Sequence, residues 1–182
     1  MNYIALLRGI NVGTGRKVQM AVLKKLCEKL GLQNVQSYIQ SGNLVFSLVK
    51  PEAIPITENR LRQTFTEAFG FDIPVIVRSA EEWSALISKN PFLSEEVIED
   101  GRLYLTCLQD EPAPESLEII KALQYLPDRY EIIGRDVFLF CTSGYGSSKL
   151  SNSFFESKLK VQASTRNWKT VLKLHEMSLS NI

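Results

Sequence analysis

Val35-Gln36-Ser37-Tyr38-Ile39-Gln40-Ser41-Gly42-Asn43-Leu44-Val45-Phe46-Ser47-Leu48 holds the pattern on which the fold turns. Val35 to Ile39 and Leu44 to Leu48 are short strand-like runs, and Gln40-Ser41-Gly42-Asn43 between them has the residues of a tight hairpin turn. Upstream, Met20, Leu23, Leu26 and Leu30 recur at three and four residues with Lys24, Lys25, Glu28 and Lys29 between them. That spacing predicts an amphipathic helix, closed by Gly31 where a helix end favours positive φ. Earlier still, residues 2–9 form an apolar run ending in Arg8-Gly9, a strand, and a polar loop follows from Asn11 to Gln19. Downstream, a second helix is expected from near Thr57, with Leu61, Phe65, Ala68 and Phe69 on one face and a stop at Gly70. Ile73 to Val77 then supply a fourth strand. Strand, helix, strand, strand, helix, strand is the order of the split βαβ, or ferredoxin-like, unit.

The second half repeats the order. Leu103 to Leu108 read as a strand, Glu115 to Leu126 as a helix, Tyr130 to Ile133 and Val137 to Thr142 as a hairpin, and Ser148 to Leu159 as a helix. Val161 to Ala163 form a short last strand, and a closing helix runs from about Asn167 to Ser178. The fold class is therefore α+β: two tandem ferredoxin-like (βαββαβ, α/β-plait) subdomains with an added C-terminal helix. The expected boundaries are residues 1–79, a linker with a helix over 80–100, and residues 101–182. The duplication is one of pattern, without a visible residue-level repeat. Ile4 to Leu7, Val75 to Val77 and Val137 to Cys141 are apolar at successive positions, which predicts sheets covered on both faces.

Charge separates the halves. The 182-residue chain carries a formal +1, yet residues 1–79 sum to +5 and residues 80–182 to −4. The overall balance excludes the basic excess of a non-specific nucleic-acid binder. Cys27, Cys107 and Cys141 form neither a CxxC pair nor a zinc spacing, and an odd count does not fit a secreted disulfide framework. They read as core residues, with a Cys107–Cys141 redox pair as the minor alternative. No apolar stretch approaches a membrane span, and Arg8 interrupts the N-terminal apolar run too early for a signal peptide. The expected location is cytoplasmic, with no membrane partner.

Three stretches carry a family resemblance: Ala5-Leu6-Leu7-Arg8-Gly9-Ile10-Asn11-Val12-Gly13, Ser37-Tyr38-Ile39-Gln40-Ser41-Gly42-Asn43, and Thr165-Arg166-Asn167-Trp168-Lys169-Thr170. With the shorter Asn90-Pro91-Phe92 and Ser148-Lys149-Leu150, they resemble the uncharacterised bacterial family catalogued as domain of unknown function 1697 (DUF1697). The resemblance implies two α/β-plait subdomains and implies no activity. The chain departs from it at Thr14, where a second glycine is expected, with Gly15 and Arg16 following.

In a split βαβ unit the loop after strand one and the turn after strand two lie at one sheet end. Arg8, Gly9, Asn11, Gly13, Arg16 and Lys17 should therefore approach Gln40, Ser41, Gly42 and Asn43 beside the start of the first helix. Helix N–H groups and two cations there favour a phosphate or carboxylate. The plainer reading gives the glycines to turns and both asparagines to loop backbone. The segment is neither a P-loop nor a GxGxxG fingerprint. A second candidate site joins Tyr145, Ser148 and Lys149, ahead of a helix, to Arg166 and Asn167 after the last strand, against the alternative of an N-cap at Ser147 or Ser148 and a core Trp168. Glu95, Glu96, Glu99 and Asp100 read as a solvated run, and the lone His175 as a packed side chain. No catalytic residue, metal site or cofactor is assigned.

These observations favour a binding or regulatory protein that recognises a phosphorylated small molecule or nucleotide at the first edge. The alternatives are an enzyme acting on a phosphorylated substrate, and an RNA-binding plait that stacks bases on Tyr3 and Phe46. Leu44 to Leu48 lack the aromatic and basic pattern of that RNA-binding strand, which ranks RNA last. A protein partner or a homo-oligomer remains open.

Overall fold

A computed structural model describes residues 1–13, 15–93 and 101–180. Among these the chain is α+β, with two four-stranded antiparallel sheets and six α-helices. It divides into two compact units, Met1–Ala85 with Lys173–Ile182, and Leu86–Leu172.

The first unit contains β1 (Asn2–Leu7), α1 (Met20–Lys29), β2 (Gln33–Tyr38), β3 (Asn43–Ser47), α2 (Ile54–Phe69), β4 (Val75–Ser79) and the start of α3 (Ala80–Ser88). Its sheet order is β2-β3-β1-β4, with every neighbouring pair antiparallel. Alternation along the strands sends Tyr3, Ala5, Leu7, Leu44, Phe46, Val75 and Val77 to one face, where they form a core with Leu23 and Cys27 of α1 and Leu61 and Phe65 of α2. On the other face Ile4, Leu6, Val45 and Ile76 are each at most 1% exposed. Burial on both faces matches the unbroken apolar runs, and each such side chain contributes about 1.5–3 kcal/mol. Helix α2 starts at Ile54, ahead of the expected Thr57, because Pro55 suits a first turn where its missing N–H is not needed.

The second unit contains β5 (Leu103–Leu108), α4 (Pro114–Lys121), β6 (Arg129–Ile133), β7 (Asp136–Phe140), α5 (Asn152–Leu159), β8 (Ala163–Asn167) and the start of α6 (Trp168–Ser180). Its order, β6-β7-β5-β8, repeats the first sheet. Three boundaries depart from the periodicity. Helix α4 stops at Lys121, short of Leu126, since the residue before Pro127 is steered away from helical ψ. Helix α5 begins at Asn152 because Ser151, and neither Ser147 nor Ser148, is the N-cap, its Oγ accepting from Phe154 N at 3.2 Å. Strand β8 is Ala163–Asn167, later than the expected Val161 to Ala163, and pairs with β5 at all five positions.

The halves also echo each other residue by residue, a signal the pattern reading missed. Arg78 and Arg166 each take the fourth position of the last strand, opposite Ile4 and Leu105. The next residue caps the following helix in both: Ser79 Oγ accepts from Glu82 N at 3.1 Å, and Asn167 Oδ1 from Thr170 N at 2.8 Å. Each helix then buries a tryptophan, Trp83 or Trp168.

Candidate functional site

Because β3 lies between the parallel β1 and β2, the β1–α1 loop and the β2–β3 turn share a sheet end. Leu7 N donates to Gly42 O at 2.8 Å there. Asn11, held at φ 52°, clamps the two segments: its Nδ2 donates to Val18 O at 3.0 Å and Gln40 O at 2.8 Å, while its Oδ1 accepts from Val18 N at 2.9 Å. Gly42 lies at φ 82° with no room for a side chain, since a Cβ would stand 2.8 Å from Leu7 Cβ. Asn43 is fully buried and donates to Tyr38 O and Ser41 Oγ, both at 3.0 Å. The side chains of Asn11 and Asn43 are thus spent on shaping the edge, as the plainer reading had it.

The cations are disposed differently. Arg16 and Lys17 are exposed and Arg8 is half-buried. The Arg16 guanidinium sits 5.7 Å from the Phe71 ring centre, and a Cβ on Gly9 would come within 3.3 Å of its Nη1, so Gly9 makes room for it. Hydrogen bonds from Arg62 chiefly, then the charges of Arg62 and Arg16, hold the Asp72 carboxyl below its ordinary range. Gln40 and Ser41 are exposed, and the first turn of α1 carries no acidic residue. The edge is thus a hydrogen-bonded frame with basic side chains on its rim. Gly13 is exposed in the loop at φ 62°, and Thr14 lies outside the described residues.

The second set of residues does not converge. Tyr145 OH donates to Thr165 Oγ1 at 3.2 Å and accepts from Asn152 N at 3.0 Å, and Thr165 Oγ1 bonds Asn152 Oδ1 at 2.7 Å. This network ties β8 to the start of α5. Arg166 leaves the opposite face of β8, its Nη1 donating to Ser164 Oγ at 2.9 Å and Thr165 O at 2.8 Å. Burial pushes the Arg166 guanidinium down to about 10. Asn167 is occupied as a helix cap and Ser148 Oγ accepts from Leu150 N. Of the five, Lys149 and Asn167 are exposed, Lys149 on a cavity of about 510 Å³ shared with Asp128 and Ser147.

Beside this cavity runs a cleft of about 420 Å³, lined chiefly by Leu117, Leu123, Tyr125, Tyr130 and Ile132, with Arg129 among the polar groups. Periodicity hid it, because residues 122–126 read as helix when they in fact form a connector. Tyr3 and Phe46 are both buried, stacked on each other with ring centres 5.7 Å apart, so neither can receive a base. Cys107 pairs with Asp136, five residues before Cys141, which separates the two by about 17 Å along the strand and removes the redox pair. The run from Glu95 to Asp100 lies outside the described residues. Among the described residues no group of three His, Cys, Asp or Glu side chains is placed to hold a metal ion, and no helix is long and apolar enough to cross a membrane.

Fold and edge together define an α+β protein of two sheet-and-helix units with a basic, hydrogen-bonded loop edge. The chain belongs to the family described as protein of unknown function (DUF1697), whose model matches residues 1–138. The match contains the loop and the turn and ends before Ser148-Lys149-Leu150 and Thr165 to Thr170. The conserved bacterial protein SP0830 from Streptococcus pneumoniae has a similar structure, with a TM-score of 0.77, 24% identity and 97% of each chain covered. None of the curated proteins matches this chain.

Proposed function

We propose that this protein binds an anionic small molecule, a phosphorylated metabolite or nucleotide, at the β1–α1 loop and β2–β3 turn. The observation that carries the reading is the Asn11 clamp, which bonds the loop to Gln40 O in the turn and sets Arg8, Arg16 and Lys17 around one edge before any ligand arrives. A frame already ordered loses less entropy on binding. The beginning of α1, without an acidic residue in its first turn, adds favourable N–H groups and dipole for an anion. Both units are read as ferredoxin-like plaits, supported by the βαββαβ order and by β1 lying between β3 and β4 in one sheet and β5 between β7 and β8 in the other. A cytoplasmic location is supported by three buried cysteines in the thiol form.

The test is thermal unfolding against a panel of nucleotides, phosphosugars and carboxylates, for the natural protein and for an Arg16→Ala/Lys17→Ala variant. A ligand at about 100 times its dissociation constant adds ~2.7 kcal/mol, and each kcal/mol moves the midpoint by ~2–4 °C in a chain of this size. A shift present in the natural protein and lost in a variant of unchanged basal midpoint supports the reading. A shift that survives in the variant, or no shift with any compound, refutes it.

A further inference from the structure

The four sheet edges are not treated alike. On β2 the pairing register shifts between Gln33 and Gln36, and Asn34 there sits at φ 52°, a bulge that spoils the edge as a template. On β4 and β8 a helix carboxylate takes a strand N–H: Glu58 Oε1 accepts from Val77 N at 2.7 Å, and Glu156 Oε1 from Ala163 N at 3.1 Å. Strand β6 has no such device among the described residues. It pairs with β7 at every position from Arg129↔Phe140 to Ile133↔Asp136, and its other side is an edge.

The hairpin decides which groups point outward. Ile133 and Asp136 flank the two-residue turn Gly134-Arg135, so they form a hydrogen-bonded pair, as do Glu131↔Phe138 and Arg129↔Phe140 by alternation. The N–H and C=O of Tyr130 and Ile132 therefore face away from β7, along the cleft of about 420 Å³ that both residues line. Leu126, 74% exposed, adds apolar surface at the entrance to the strand.

We propose that this edge is a self-association surface, on which β6 of a second copy of this chain adds antiparallel about a two-fold axis through Tyr130. The occupant follows from the order Arg129-Tyr130-Glu131. With the axis at Tyr130, the two Tyr130 residues exchange their outward N–H and C=O groups as one hydrogen-bonded pair. Arg129 of each copy then stands opposite Glu131 of the other, in the non-hydrogen-bonded position where cross-strand side chains approach to about 4.5–5.5 Å. Glu131 is exposed, and the Arg129 guanidinium rests 4.6 Å from the Phe140 ring centre. The strand is thus complementary in charge and in backbone register to itself, and an isologous contact of this kind closes as a dimer.

Sedimentation equilibrium of the natural protein, over low to high micromolar concentration, should give a mass rising to twice that of the chain. Glu131→Arg sets like charges opposite each other and should weaken the dimer by roughly tenfold or more. Arg129→Glu/Glu131→Arg together should restore it. Should the double variant lose its fold through the stacked Arg129, Ile132→Pro serves instead, because its ring replaces an outward N–H, leaves the β6–β7 ladder intact and blocks the edge. A protein that is monomeric throughout, or a dimer indifferent to Glu131→Arg and Ile132→Pro, overturns the proposal.

Discussion

Replacing Gly42 with alanine should cost far more than the same change at another glycine of equal φ. At φ 82° an L-residue pays about 1–2 kcal/mol for the left-handed region. The new Cβ would lie 2.8 Å from Leu7 Cβ and 2.9 Å from Ile10 Cδ1, both on fully buried side chains. Neither neighbour yields easily, since Leu7 N is bonded to Gly42 O at 2.8 Å and Leu7 continues the β1 ladder. Overpacking of this kind costs a further ~1–3 kcal/mol, for a total of ~2–5 kcal/mol. Gly70 is the control: it caps α2 at φ 76° with nothing within 4 Å of an added methyl, so Gly70→Ala should lose only the backbone contribution. At ~2–4 °C per kcal/mol, Gly42→Ala should lower the thermal midpoint by ~4–20 °C, clearly more than Gly70→Ala. Urea unfolding of the three proteins side by side should show midpoint changes with an unchanged slope. Equal losses for the two variants would show that the packing against Leu7 and Ile10 is not what requires a glycine in this turn.

The Arg62–Asp72 pair, bonded through Nε–Oδ1 at 2.7 Å and Nη2–Oδ2 at 2.8 Å, predicts a pH signature. Since the folded carboxyl is lowered from 3.8, its contribution is present above that value and lost as pH falls through the folded pKa. Asp72→Asn should therefore cost less than ~1 kcal/mol at pH 7, the pair being half exposed, and nothing in strong acid; a gap that widened on acidification would contradict this. Burial pushes the Cys27 thiol up to about 12 and the Cys141 thiol up to about 11, so both should resist thiol reagents in the native protein and label at the rate of unfolding. Rapid native labelling of either would place it nearer solvent.

Much of the fold was legible because it rests on local patterns. The hairpin at Gln40 to Asn43, the three-and-four spacing of α1 and the unbroken apolar runs of β1 and β4 each report which faces are buried, and burial is the largest favourable contribution to folding. The meeting of loop and turn followed from the order of elements alone. What local pattern misread were places where a distant partner or a single special residue overrides periodicity. Residues 122–126 look helical, yet Pro127 ends that option, and the hydroxyl of Tyr130 donates to Ile120 O and Leu123 O, binding the connector to β6. Ser148 has the look of an N-cap, but Leu150 N claims its Oγ and the cap passes to Ser151.

Composition and spacing, then, determined an α+β chain with two copies of one strand-and-helix order, a basic first half and a loop edge able to carry positive charge. Tertiary structure alone decided that Asn11 spends its amide on Val18 and on Gln40, 29 residues away, that Arg166 and Tyr145 part to opposite faces of β8, and that β6 is the edge left, among the described residues, without a bulge or a carboxylate. The physical reason is range. Periodicity records the side of an element that avoids water, whereas the partner of a polar group is set by contacts between residues far apart in the chain, which no local window of sequence contains.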